Sequence, residues 1–216
     1  MSRENVVQFH DRDRSVKLRV VALFLFIGLM WFVRGIDAFL PVGFSSAGVG
    51  IVPRSSGGLE GIVITPFVHA SWEHLIANTI PLAVLGALIL LRGLAEFLFA
   101  LITSAFVSGA GTWLFGEGHA QHVGASGIVL GFIGFLLFRS AFDRRLSSLI
   151  ITIIVAGLYG TAVGTSLIPE EGISWSGHFF GFLGGFVAAR LRYRTAPKIY
   201  PGEHPLAVLN MPRMME

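Results

Sequence analysis

Six apolar stretches run along the chain, near Val16–Phe39, Trp72–Leu91, Leu94–Phe115, Val123–Phe138, Leu146–Ile168 and Ser176–Leu191. Roughly 20 apolar residues cross the hydrocarbon core of a bilayer as a helix. Four of the stretches reach that length comfortably, whereas the fourth and the sixth are short. Leu40–Thr65 is a long Gly/Ser-rich connection broken by Pro41, Pro53 and Gly57-Gly58. Its Val42, Phe44, Val49, Ile51 and Val52 place it in the membrane interface rather than in water. Glu117-Gly118-His119-Ala120-Gln121-His122 forms a polar loop before the fourth stretch, and Pro169-Glu170-Glu171-Gly172 a turn before the sixth. The pattern predicts an all-α, polytopic membrane protein. Its six-span bundle covers residues 16–192, between a mobile polar tail at 1–15 and an irregular tail at 193–216.

Composition agrees with this reading. Hydrophobic residues make up 53% of the chain and charged residues 13%, about half the charge of an ordinary soluble domain. Fourteen of the sixteen basic residues fall on one face of the predicted bundle, leaving Arg34 and Arg54 for the other. The positive-inside rule makes the basic face cytoplasmic and puts both termini there. This asymmetry accounts for the net charge of +3 without any nucleic acid. Arg34 and Asp37 lie three residues apart, placed either to pair or to remain two solvated interfacial charges. The first apolar stretch is too long for a signal h-region and lacks a small-x-small cleavage site. The compact chain fits a bacterial inner membrane. Its zero cysteines exclude disulfides and thiol chemistry.

Polar residues inside the apolar stretches carry the candidate chemistry, because such groups are expensive in lipid. Asn78, Ser126 and His178 lie twelve to fourteen residues before Arg92, Arg139 and Arg190, the arginines that close their spans. At about 1.5 Å per residue they share one depth, roughly 18–21 Å from the basic face. The fourth stretch makes only about 24 Å of helix. With its inner end fixed at Arg139, the loop above dips inward and leaves a wet hollow with Ser126 at its floor.

Each residue has a plain structural alternative. A lone serine in a membrane helix is usually a packing residue, and a lone histidine or asparagine usually a helix–helix hydrogen bond. Position favours chemistry. Ser126, in Gly124-Ala125-Ser126-Gly127, falls in the first turn of its span, where free N–H groups and partial positive charge favour an oxyanion. Gly177, Gly181 and Gly185 recur every four residues beside His178, and Gly127, Gly131 and Gly134 form a comparable surface. Two such stripes bring helices close and would set the imidazole beside the hydroxyl it can activate. His74 and Asn78, four apart, share one helix face toward the same hollow.

Taken together, His69-x4-His74-x3-Asn78, Gly124-Ala125-Ser126-Gly127 and His178-x2-Gly181-x3-Gly185 resemble the rhomboid family of intramembrane serine proteases. The resemblance spans about Val16 to Arg192. It implies Ser126 as nucleophile and His178 as its general base, with no carboxylate in the dyad. It also implies that the Ser126 N–H, His74 and Asn78 stabilise the oxyanion. Gly124, Gly127, Gly181 and Gly185 would support the site. The implied substrates are transmembrane proteins in the lipid bilayer, cut near their outer ends, with no cofactor and no metal. By family analogy the fifth span, with Gly157, Gly160 and Gly164, would gate substrate entry.

Three departures stand out. The first outer loop has Arg54 but lacks the tryptophan that many members carry beside it. Leu130 replaces an aromatic residue that packs on the histidine in many members, leaving Phe179 or Phe182 to hold that ring, or the ring less tightly held. Gly177 replaces the usual alanine. Rival readings are an inactive rhomboid-like chaperone or adaptor, a transporter or channel, and a metalloprotease built on His69, His74, His119, His122 and His178. Glu73-His74 is not part of an H-E-x-x-H motif, which weighs against the last.

Overall fold

The computed structural model describes residues 3–40, 42–44, 48–118, 121–168 and 174–195, with side chains from 15 to 194. Pro41, His119, the turn at 169–172 and the tail from 196 onward lie outside the described residues. The described chain is all-helical. Its helices are α1 (Arg3–Asp37), α2 (Gly61–Ile64), α3 (Trp72–Leu90), α4 (Leu94–Phe115), α5 (Ser126–Asp143), α6 (Leu146–Ser166) and α7 (Trp175–Thr195). A short 3₁₀ turn lies on each side of α2. Helix α1 continues back to Arg3 through the segment expected to be a mobile tail.

Five helices are long and apolar enough to cross a membrane: α1 from Ser15, α3, α4, α5 and α6. Helix α7 is as long as α6 but carries three arginines and four glycines. It lies between α4 and α5, so protein rather than lipid surrounds much of its surface. Helix α5 is central. Its apolar window is 61% buried, against 11% each for α1 and α6, which sit at the periphery. Phe97, Phe132, Phe135, Leu82 and Leu85 fill the core where α3, α4 and α5 meet.

The glycine stripes meet as the sequence predicts. A Cβ on Gly181 would lie 2.1 Å from the Gly127 carbonyl oxygen, and one on Gly185 would lie 1.9 Å from that of Gly131. Gly134 likewise faces the Phe182 carbonyl, 2.4 Å from a built Cβ. Any side chain at these positions would force α5 and α7 apart.

The fourth span differs from its predicted bounds. It begins at Ser126 rather than Val123 and runs past Arg139 to Asp143. Arg139 does not end it, because the charge is neutralised inside the bundle. Arg139 lies 3.5 Å from Asp143 and 4.0 Å from Glu96, which also accepts from Arg192 at 3.1 Å. Asp143 pairs with Arg92, and Ser148 links the two. This cluster ties α4, α5, α6, α7 and the α3–α4 turn at the basic end.

At the other end, the long first connection is anchored by its own set of bonds. Arg54 donates to the carbonyls of Leu114 and Gly116, at 3.2 and 3.0 Å. Trp113 donates from α4 to the Ser55 carbonyl at 2.8 Å. The connection, which has no tryptophan of its own, is thus bonded by one on α4. Arg34 and Asp37 do pair, and Asp37 also accepts from the Phe44 N–H.

Removing one member of a buried ionic cluster leaves an uncompensated charge and costs about 3–5 kcal/mol. Glu96→Ala, which takes the carboxylate from Arg192 and leaves Arg139 to share Asp143 with Arg92, is therefore expected to destabilise the bundle by about 3 kcal/mol. Thermal unfolding in detergent micelles measures this, and wild-type stability would contradict the role of the cluster.

Candidate active site

The segment leading into α5 is fixed by main-chain bonds. His122 and Ile51 exchange two of them, at 3.0 and 2.9 Å. The Gly124 N–H donates to the Thr65 carbonyl at 3.0 Å, and the Thr65 hydroxyl donates to the His122 carbonyl at 3.2 Å. Gly124 has φ +108, a conformation that L side chains rarely adopt. A Cβ there would lie 2.6 Å from His74 Nε2 and 3.5 Å from Asn78 Nδ2. Only glycine lets the chain pass this close to the two side chains. Ser126 follows as the first residue of α5, where its N–H has no partner within the helix.

His178 lies in the first turns of α7. Ser174 opens this helix, its hydroxyl accepting from the Gly177 N–H at 3.3 Å and its carbonyl from the His178 N–H at 3.0 Å. The His178 Nε2 is 2.8 Å from Ser126 Oγ. Its Nδ1 is 2.9 Å from the Ser166 carbonyl oxygen at the end of α6. The expectation that Phe179 or Phe182 holds this ring is therefore corrected. Phe179 packs on Phe180 and Phe182 on Phe138, while a free carbonyl at a helix end meets the ring N–H directly.

On α3, the Ser71 hydroxyl accepts from the His74 N–H at 3.1 Å and caps the helix. Asn78 is buried, and its amide donates to the His74 carbonyl at 3.0 Å. One helical turn further, Pro81 cannot bond the Ala77 carbonyl. Ser126, His178, His74 and Asn78 all line one cavity of about 610 Å³. Glu117, Gln121, His122 and Ser174 give it a polar part; Val129, Leu130, Ile133 and Val163 give it an apolar one. The hollow predicted beneath the polar loop is present there. Ser126, His178, His74 and Asn78 are thus brought together, with Gly124 against His74 and Asn78 and Gly127, Gly181 and Gly185 in the helix contacts beneath.

Two further histidines, His69 and His122, have described side chains. Among the described residues, no group of three or more metal-ligating side chains gathers. His69 packs edge-on against His74 with ring centroids 5.1 Å apart. His122 Nδ1 meets the Ser174 hydroxyl at 2.7 Å, and burial pushes its pKa below the ordinary value. Sequence reading missed Ser174, although a serine just before a helix is a standard cap signal. It also missed Ser166, whose contribution is a main-chain atom that no residue type announces.

A family model, the Rhomboid domain, matches residues 56–195. The chain belongs to the rhomboid family. An uncharacterised protein of Mycobacterium tuberculosis is 38% identical over 174 residues, covering 77% of this chain and 72% of its own. The putative rhomboid protease YdcA of Bacillus subtilis is 32% identical over 64% of this chain and 70% of its own. The rhomboid protease GluP of the same organism is 32% identical over 59% of this chain and 25% of its own. At the level of the family, these findings support an intramembrane protease and an integral, multi-pass membrane protein.

His69 supplies a pH-dependent test of the packing behind His74. Burial pushes its pKa from 6.5 down to about 4, aided by the neighbouring His74 and Arg34 and opposed by the Phe67 carbonyl. Above pH 6.5 the ring is neutral whether the protein is folded or unfolded. As the pH falls from 6.5 to about 4, the unfolded chain takes up a proton that the folded protein does not. Stability therefore falls across that window by about 3 kcal/mol. Unfolding followed against pH should show this loss, and His69→Phe should flatten it. An unchanged profile in the variant would remove His69 as its source.

Proposed function

We propose that this rhomboid is an intramembrane serine endopeptidase that cleaves transmembrane proteins near the outer face of the membrane. The 2.8 Å contact between Ser126 Oγ and His178 Nε2 carries the reading. Ser126 attacks a peptide carbonyl while its proton passes to His178 Nε2. The oxyanion is met by the Ser126 N–H, His74 and Asn78, with Gly124 giving the substrate carbonyl room to reach them. His178 then returns the proton to the leaving amine, and water from the cavity releases the acyl group. No cofactor and no metal enters this scheme. The proposed setting is a bacterial inner membrane with both termini cytoplasmic, following the basic asymmetry. An inactive chaperone or adaptor is the alternative to be separated from it.

The decisive measurement is cleavage of a single-span reporter in liposomes. Ser126→Ala and His178→Ala should each abolish it, and Ser126→Ala should also abolish fluorophosphonate labelling. Reporter cleavage that persists undiminished in Ser126→Ala rejects the dyad. A wild-type protein that neither cleaves nor labels supports the adaptor reading.

Loss of one oxyanion donor, in Asn78→Ala or His74→Ala, is expected to slow turnover about 10²–10³-fold. Gly124→Ala should do comparable damage without removing any reacting group, because its methyl meets His74 Nε2. Wild-type turnover by Gly124→Ala would show that the oxyanion site lies elsewhere.

A further inference from the structure

We infer that the main-chain carbonyl of Ser166 is the positioning group for the His178 imidazole, in the place that an acidic side chain takes in triad hydrolases. The inference rests on the Ser126–His178 reading above and adds a third participant to it.

A carbonyl oxygen accepts and never donates. At 2.9 Å from His178 Nδ1, it requires that nitrogen to carry the proton. The Nε2 lone pair is then left facing Ser126 Oγ at 2.8 Å, which is the arrangement needed to receive the serine proton. The opposite tautomer would set two lone pairs against each other at Nδ1. It would also point an N–H at the hydroxyl that must be deprotonated.

Ser166 is the last residue of α6. The last carbonyls of a helix lack intrahelical partners and carry partial negative charge. That charge favours the imidazolium formed when Ser126 Oγ–H passes its proton to Nε2. The Ser166 side chain is not the agent, since its hydroxyl donates to the carbonyls of Ala162 and Val163. Among the described residues, no carboxylate bonds the ring.

The way α6 is fastened makes this bond consequential. Its first half is tied by Ser148 to Asp143 and Arg92, by Thr152 to the Leu136 carbonyl at 3.0 Å, and by buried Val155. Beyond that, Gly157, Gly160 and Gly164 face nothing within 4 Å. Tyr159 and Val163 pack against the core only in part. Among the described residues, the bond to His178 is the one hydrogen bond joining the last half of α6 to another helix. The orientation of the imidazole is therefore set by the end of a peripheral helix.

A backbone ester tests the inference in the full-length protein. Replacing Leu167 by its α-hydroxy acid turns the Ser166 carbonyl into an ester carbonyl, a weaker acceptor. Replacing Ile168 in the same way removes one N–H as well but leaves the Ser166 amide intact. The 167 ester should lower kcat for reporter cleavage about tenfold, the effect of weakening one charge-assisted hydrogen bond. KM should stay within about twofold, as expected for an interaction that matters mainly in the transition state. The 168 ester should leave kcat within about twofold. Nitrogen-15 NMR of histidine-labelled protein, assigned with His178→Asn, should show a single Nδ1–H tautomer in the wild type and a mixture in the 167 ester. An Nε2–H tautomer in the wild type would overturn the inference, as would a 167 ester with unaltered tautomer and kcat. If the wild type cleaves nothing, the protease reading fails, and the tautomer measurement still decides the role of the carbonyl.

Discussion

The close approach of α5 and α7 sets the distance between Ser126 and His178. Lipid tails are as apolar as leucine, so two membrane helices gain little hydrophobic drive by meeting; tight packing and hydrogen bonds must hold them. Gly181 and Gly185 let α7 rest on the carbonyls of Gly127 and Gly131, where a Cβ would stand at 2.1 and 1.9 Å. The glycines of α5 also receive α4, since a Cβ on Gly127 or Gly131 would lie 2.0 and 2.2 Å from the hydroxyls of Ser108 and Ser104. Ser126 precedes Gly127 and His178 follows Gly177. The hydroxyl and the imidazole therefore sit at one end of a contact whose spacing the main chain decides.

That contact is fastened at both ends by polar groups, each bonded within the protein. At the basic end, Glu96 and Asp143 gather Arg92, Arg139 and Arg192 across three helices and a turn. At the other end, Thr65 and Ile51 hold the 122–124 segment that delivers Ser126. Between them, the Ser108 hydroxyl donates to the Gly177 carbonyl at 2.8 Å, stitching α4 to the start of α7. An unpaired polar group in such surroundings would cost several kcal/mol. The satisfied ones instead lock the register of the glycine stripes, because sliding the helices would strand them.

Much of this was legible in the residues. Gly93 and Gly116 bracket a largely apolar run, so α4 matches its predicted Leu94–Phe115 to the residue. The repeat of Gly177, Gly181 and Gly185 gave the α5–α7 contact, and the depth of Asn78, Ser126 and His178 gave their convergence. The misplaced inner end of the fourth span has a definite cause. Arg139 reads as the end of a span when its charge is counted alone, yet Glu96 and Asp143 reach it from elsewhere in the fold. Local hydropathy cannot contain a long-range ion pair. The support of His178 was illegible for a different reason. Leu130 removed the expected aromatic partner, and the replacement is a main-chain oxygen, present at every residue and therefore signalled by none.

This last substitution of backbone for side chain fits the physics of the site. A carboxylate beside His178 would have to be desolvated within an apolar bundle, at several kcal/mol unless fully paired. The terminal carbonyl of α6 carries only partial charge, and helix formation leaves it without a partner in any case. In the proposed mechanism the Ser126 N–H has the matching place at the start of α5, as a donor without an intrahelical partner that would meet developing negative charge. One helix start and one helix end thus provide polarity of opposite sign on either side of the dyad. In this reading the catalytic electrostatics of a membrane-buried site come largely from where helices stop, and the side chains that must be desolvated are limited to those that react or meet the oxyanion.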